Sequence, residues 1–207
     1  MAMLLYVDTQ FTSPYAMSAF VALRAKDLSF DLLPLDLAAG AHRQPAFAAT
    51  SITRRIPTLV HDDFWLSESS AIAEYLDDVC PGPALYPANP RHRAQARQVQ
   101  AWLRSDLMPL RQERSTEVIF FGKRMEPLSE AARDCAEKLC AAATNLLADR
   151  DDSLFGTWSI ADVDLSLMLN RLVLHGDDVS EPLAAYARRQ WSHPAIQEWV
   201  GMKRPAP

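Results

Sequence analysis

The 207-residue chain is 49% hydrophobic with a formal charge of −5, apolar enough for one large domain or two small ones. Its 21 Lys and Arg residues are dispersed among 26 acidic ones without forming a basic stripe, which argues against a nucleic-acid partner, and no apolar run approaches the roughly 20 residues of a membrane span. Cys80, Cys135 and Cys140 lack CxxC spacing, the five histidines lack HExxH, and neither GxGxxG nor GK[ST] occurs, so the usual signals for a disulfide framework, a metal and a nucleotide cofactor are missing; without a basic leader at Met1–Val7, a cytoplasmic chain with three inert, buried thiols is expected.

In chain order, MLLYVD (residues 3–8) reads as a short buried strand. After the loop TQFTS, a helical pattern runs from Pro14 to about Ala25 with Met17, Phe20, Val21 and Leu23 apolar. Leu28–Leu37 alternates partly, as a second strand does, and Ala38–Thr50 is irregular or weakly helical. Thr58–His61 and Phe64–Leu66, separated by Asp62 and Asp63, form a hairpin signal. Ser67–Val79 then places Ile72, Tyr75, Leu76 and Val79 on one helical face. The order β-α-β-(α)-β-β-α is that of a thioredoxin-like domain over residues 1–80. Five prolines and glycines between Pro81 and Pro90 admit neither a helix nor a central strand, so residues 81–90 read as a linker.

Beyond the linker, strand signals vanish. Residues 91–113 and 132–147 carry apolar residues at helical spacing, and Ile160–Leu174 is apolar on nearly every side, as expected of a helix buried in a bundle. Shorter closing helices with Trp191 and Trp199 fill Glu181–Trp199. The fold expected is an α/β thioredoxin-like N-terminal domain plus an all-α C-terminal helical bundle over 91–207.

Three places in the first domain carry chemistry. Ser13 precedes Pro14 at a loop-to-helix junction, the arrangement of an N-cap serine with proline at the first helical position, and a hydroxyl there also lies where an anion gains from free N–H donors. Ile56-Pro57 enters the third strand, where proline serves as a simple strand start or, if its peptide bond is cis, as a turn that offers the Ile56 main chain to an extended peptide. Glu68-Ser69 opens the following helix, either as capping and dipole residues or as a reader of an amino-acid head group, Ser69 taking its carboxylate and Glu68 its ammonium. Ser159 and Asp162 have the spacing of a capping box and read as structural.

The chain resembles the glutathione transferases along its whole length. The resemblance rests on Ser13-Pro14, on Arg55-Ile56-Pro57, on Glu68-Ser69-Ser70-Ala71-Ile72 with Tyr75-Leu76, and on Ser159-Ile160-Ala161-Asp162. The serine before proline is similar to that of Tau-class plant members, and AWLRSDLMP (101–109) and NRLVLHGD (170–177) are similar to the bacterial YfcF branch, the closer of the two. The resemblance implies glutathione as co-substrate, with no metal or nucleotide. Ser13 would activate its thiol, the Ile56 main chain would pair with the cysteinyl unit, and Glu68 with Ser69 would hold the γ-glutamyl end. Arg55 and His42 are the nearest matches to basic residues that contact the glycyl carboxylate, His42 standing where lysine is usual. It further implies a homodimer, with Ala94, Ala96 and Ala101 as small residues for close helix approach, and attack of the thiolate on a small hydrophobic electrophile or a hydroperoxide. Phe11, Tyr15, Trp102 and Met108 are placed to line the electrophile pocket. Two alternatives compete: a glutathione-dependent thiol-disulfide reductase, disfavoured because no cysteine is near Ser13 in sequence, and a non-catalytic glutathione-binding or regulatory protein of the same fold.

Overall fold

The computed structural model describes residues 3–148 and 152–205. The chain divides into two units, Met1–Leu85 with Ala195–Pro207, and Tyr86–Pro194.

The first unit is built on β1 (Met3–Asp8), α1 (Pro14–Ala25), β2 (Asp31–Leu35), a 3₁₀ turn at Ala41–Arg43, α2 (Pro45–Ala48), β3 (Thr58–His61), β4 (Phe64–Ser67) and α3 (Ser69–Val79). The four strands form one sheet in the order β2-β1-β3-β4, with β1 parallel to β2 and β3 antiparallel to both β1 and β4. Leu5 and Val7 of β1, Phe20 and Leu23 of α1, and Ile72 and Leu76 of α3 are fully buried, and α1 packs on α3. This is the thioredoxin-like arrangement expected. The second strand is shorter than Leu28–Leu37, and after Leu35 the chain turns, with the Ala39 N–H on the Asp36 carboxylate and the Ala41 N–H on the Asp36 carbonyl.

Strand directions decide where chemistry can gather. Because β1 and β4 both run antiparallel to β3, they run parallel to each other, and the helices that follow them, α1 and α3, begin at the same end of the sheet. β3 starts at that end too, Thr58 pairing with Tyr6 on one side and Ser67 on the other.

The second unit is all helix: α4 (Pro90–Ser105), α5 (Met108–Glu113), α6 (Thr116–Phe121), α7 (Glu130–Leu147), α8 (Ile160–Val173) and α9 (Glu181–Trp191). The single helix expected over 91–113 is two. Pro109 lacks an N–H and its ring would strike the carbonyl of Ser105, so the chain breaks at Asp106-Leu107, with Leu107 at φ 60° and its N–H on the Asp106 carboxylate at 2.7 Å. Helix α6 was not anticipated, although Ser115, whose hydroxyl accepts from the Glu117 N–H, and left-handed Gly122 mark its two ends. A last helix, α10 (Pro194–Val200), carries Trp199, fully buried against Phe11 and Phe20 at 5.7 and 5.3 Å between ring centroids; this packing explains why residues 195–205 group with the sheet and not with the bundle to which their helical pattern points.

Helix α8 is buried on nearly all sides, as its pattern requires. Its Asp162 carboxylate, fully buried, accepts from the Leu154 N–H (2.8 Å), the Ser159 N–H and hydroxyl (both 2.9 Å) and the Tyr186 hydroxyl (2.8 Å). Burial pushes this carboxyl above its ordinary pKa while the four donors pull it back. Asp162 therefore does more than cap a helix, since it joins α8 to α9 and to the segment before it. Asp162→Ala leaves several buried donors without an acceptor, at about 1–3 kcal/mol each. It is expected to lower the unfolding free energy by about 3 kcal/mol or more in denaturant titration, whereas Ser159→Ala costs about 0.5–2 kcal/mol.

Candidate active site

Ser13 is the N-cap of α1, with extended backbone (φ −70°, ψ 119°), and its hydroxyl oxygen accepts from the Ala16 N–H at 3.2 Å. Its own N–H donates to the Asp8 carboxylate at 3.2 Å. A hydroxyl has one donor and two acceptor sites, so a bond accepted from Ala16 leaves the Ser13 O–H to donate elsewhere. The capping role and the functional role are compatible, and the cap polarises the very O–H that would donate.

The peptide bond Ile56–Pro57 is cis, and Pro57 is buried while Ile56 is half-buried. Among the described residues the Ile56 N–H and C=O make no hydrogen bond. The turn is held from below by a cluster of buried hydroxyls. Thr58 Oγ1 donates to the Arg55 carbonyl at 2.9 Å and lies 3.1 Å from Ser51 Oγ and 3.2 Å from Ser67 Oγ, which are themselves 2.8 Å apart. Ser51, Thr58 and Ser67 come from the loop before β3, from β3 itself and from the end of β4, so the cluster ties the Ile56 turn to the residue that precedes Glu68.

Glu68 occupies the N-cap of α3 at φ 73°, ψ 116°, outside the regions open to most L-residues, and its side chain makes no capping bond. The capping explanation for this carboxylate therefore fails, and the side chain is exposed at the positive end of a helix with no bond to its own backbone. Ser69, nearly fully buried, is the first helical residue.

Ile56, Glu68 and Ser69 meet in one place, and Ser13 does not join them. A cavity of about 80 Å³ is lined by Tyr15, Thr53, Arg55, Ile56, Pro57, Glu68 and Ser69. A second, of about 250 Å³, is lined by Leu37, His42, Arg54, Arg55 and Ile56, and shares two of those residues. Ser13 is not in either lining, but it sits one position before the helix that carries Tyr15. The larger cavity continues past the Ile56 turn toward three basic side chains, His42, Arg54 and Arg55. His42 Nε2 accepts from Arg43 Nε at 3.3 Å, while its Nδ1 is out of contact with solvent and has no hydrogen-bond partner among the described residues. Arg54 was not singled out from the sequence; its left-handed backbone (φ 52°) brings it beside Arg55 in the cavity wall. Thr53 was missed as well, since nothing in its neighbourhood pattern distinguishes it.

The remaining expectations divide. Tyr15 lines the small cavity, while Phe11 is turned to Trp199. Trp102 donates to Asp106 at 2.9 Å and Met108 is 50% exposed, both in the helical unit. All three cysteines are free, but half-buried where burial was expected. Burial pushes the Cys80 thiol up against a smaller pull from Lys26, and burial with the Asp178 charge pushes Cys140 up, so neither is an activated thiol. Larger cavities of about 450 and 490 Å³ lie in the helical unit, lined by Tyr186 and Arg189 in one case and by Arg133 and Cys140 in the other. The first includes Ser180 and Pro182 at the start of α9, but neither cavity is lined by Ser13, Ile56, Glu68 or Ser69.

Two family models match the chain, the glutathione S-transferase N-terminal domain over residues 12–79 and the C-terminal domain over 89–204. The chain belongs to the glutathione S-transferase family. A glutathione transferase homologue from Burkholderia, solved with bound glutathione, is 45% identical, with 97% of this chain and 96% of that chain covered at a TM-score of 0.78. Maleylacetoacetate isomerase from Methylobacterium extorquens AM1, solved with malonate and glutathione, is 25% identical over 99% of each chain at a TM-score of 0.74. Maleylacetoacetate isomerase from Pseudomonas aeruginosa is 40% identical over 111 residues, 52% of this chain and 51% of that protein, so the match spans about half the length of this curated relative.

Thr58→Val keeps shape and removes the closer of the two hydroxyls that donate to the Arg55 carbonyl, Ser51 being the other at 3.4 Å, so unfolding free energy should fall by about 1–3 kcal/mol in denaturant titration.

Proposed function

We propose that the protein binds glutathione in the paired cavities and activates its thiol through Ser13 for attack on an electrophilic carbon. The observation that carries the reading is the joining of a free Ile56 main-chain edge, an uncapped Glu68 and the start of α3 around one cavity, at the end of the sheet where α1 also begins. In this reading the γ-glutamyl carboxylate takes the N-terminus of α3 with Ser69, its ammonium takes Glu68, and the cysteinyl main chain pairs with Ile56 as one more short strand. The glycyl carboxylate extends toward His42, Arg54 and Arg55. The sulfur then lies near the start of α1.

An ordinary thiol has a pKa of about 8.5, and lowering it by about two units takes ~2.7 kcal/mol of preferential thiolate binding. One or two hydrogen bonds to the charged sulfur, at about 1.5–3 kcal/mol each, are sufficient, and the Ser13 hydroxyl supplies the first. The YfcF branch and a Tau-like serine site remain the finer placement we favour, on the Ser13-Pro14 and 101–109 and 170–177 segments. Peroxide reduction is a further activity open to the same thiolate.

The maleylacetoacetate isomerase matches favour a second reading, in which the thiolate adds to a conjugated alkene and is expelled after bond rotation, giving isomerisation with no net use of glutathione. Following both product and remaining free thiol separates transfer from isomerisation.

Ser13→Ala should reduce glutathione-dependent turnover of an activated aryl chloride about 10- to 100-fold, the equivalent of one charge-assisted hydrogen bond, while changing glutathione affinity little. Glu68→Gln should do the reverse, raising the dissociation constant about tenfold by calorimetry; the side chain is exposed before binding, so the effect falls between a surface ion pair and a buried one. An unaltered affinity would restrict Glu68 to the helix dipole.

We also propose a homodimer. Ala94 and Ala101 are exposed on one side of α4, whereas Ala96 is buried and drops out of the patch. Sedimentation at micromolar concentration should give about twice 23.1 kDa, and a species at the single-chain mass would contradict it.

A further inference from the structure

The loop that carries Ser13, residues 9–13, takes its support from two charged residues at opposite ends of the chain. From β1, the Asp8 carboxylate is 7% exposed and accepts from the Thr12 N–H (2.8 Å), the Thr12 hydroxyl (3.0 Å) and the Ser13 N–H (3.2 Å). From the segment after α10, Arg204 donates through Nε and Nη2 to the Phe11 carbonyl at 3.3 and 3.2 Å. Phe11 is left-handed at φ 51°, two residues before Ser13. The other donors of Arg204 meet the carbonyls of Trp199 (2.8 Å), Val200 (2.6 Å) and Met202 (2.9 Å), closing the C-terminal end of α10 where a cation is favoured. A planar fork of five donors can serve carbonyls on two elements at once, and a lysine cannot reproduce that geometry.

The charges matter as well as the bonds. Burial pulls Arg204 below its ordinary pKa and the Asp8 charge pushes it back, so the two interact across the loop. An unbalanced carboxylate under the Ser13 loop would disfavour a thiolate above it. The other charged groups around that end are Arg54 and Arg55 from the loop before β3, Glu68 from the start of α3 and Lys203 from the tail, all exposed, and two further titratable side chains there are the half-buried His42 and Tyr15 of α1.

We propose that Arg204, acting with Asp8, is a positioning residue for thiol activation, fixing the Phe11 carbonyl so that the Ser13 hydroxyl keeps its place and offsetting the Asp8 charge beside the thiolate. This rests on the reading of Ser13 as the activator. The role is electrostatic and geometric together, and two substitutions separate its halves. Arg204→Gln removes the charge and most of the fork; Arg204→Lys keeps the charge and loses the fork.

The test is titration of the enzyme-bound glutathione thiol by its thiolate absorbance, together with turnover of an activated aryl chloride, in the full chain and in Arg204→Gln, Arg204→Lys and Ser13→Ala, each checked for folding by thermal denaturation. Arg204→Gln should move the thiol midpoint to higher pH by about half a unit or more and cut turnover about tenfold, with the glutathione dissociation constant within about twofold. Arg204→Lys should leave the midpoint near its original place and lose turnover to an intermediate degree. If both variants only lower the melting temperature, with midpoint and turnover per folded molecule unchanged, Arg204 is structural and the proposal is overturned. If Ser13→Ala itself leaves the midpoint unmoved, the activator reading fails first and takes this proposal with it. A midpoint moved by Ser13→Ala but not by Arg204→Gln overturns the proposal alone.

Discussion

The direction of β3 is the constraint on which the site depends. Because it runs antiparallel to both of its neighbours, β1 and β4 end together, and the helices after them start side by side. Each helix start brings N–H groups without intrahelical partners and the positive end of a dipole. A sheet with β4 reversed would send α3 to the far edge, and Ser13 could then share no ligand with Glu68 and Ser69. The entry to β3 lies at the same end, with Ile56 and its unpaired main chain between the two helix starts.

Rigidity and charge are assigned to different residues at this end. The buried hydroxyls of Ser51, Thr58 and Ser67 satisfy one another and the Arg55 carbonyl, fixing the turn without a net charge. Asp8 fixes the Ser13 loop through its N–H groups, and Arg204 through a carbonyl. The groups that would meet a ligand, the Glu68 carboxylate and the Arg54 and Arg55 guanidiniums, stand on this frame exposed. Glu68 has an unfavourable backbone conformation and no capping bond, a local cost of about 1–3 kcal/mol in other proteins, which the neighbouring β4 end and α3 must sustain.

Much of this was legible in the sequence where local signals agree with the tertiary result. Ser13-Pro14 marks the start of α1 because cap and proline preferences coincide there, and the two short apolar runs around Asp62-Asp63 form the hairpin they suggest. Periodicity also identified α8, whose burial leaves no polar face. It failed at Asp106-Leu107, where apolar spacing continues through a break imposed by one proline, and at Ala96, whose small side chain faces the core. Arg54, Thr53 and Arg204 were invisible for a different reason. Their importance comes from a left-handed turn, a cavity wall and a contact with a carbonyl at the other end of the chain, and none of these leaves a pattern in neighbouring residues. The roles proposed for Ser13 and Glu68 come from residue chemistry at helix starts together with family resemblance; the structure adds where the two residues stand.

The central claim is that one end of the sheet orients glutathione with its sulfur at Ser13. The most direct measurement is a crystal structure of the protein with glutathione bound. The account predicts the sulfur within about 3.5 Å of Ser13 Oγ, the cysteinyl main chain paired with Ile56, and the γ-glutamyl group at Glu68 and Ser69. Glutathione bound with its sulfur turned away from the start of α1, or seated in either cavity of the helical unit, would contradict it.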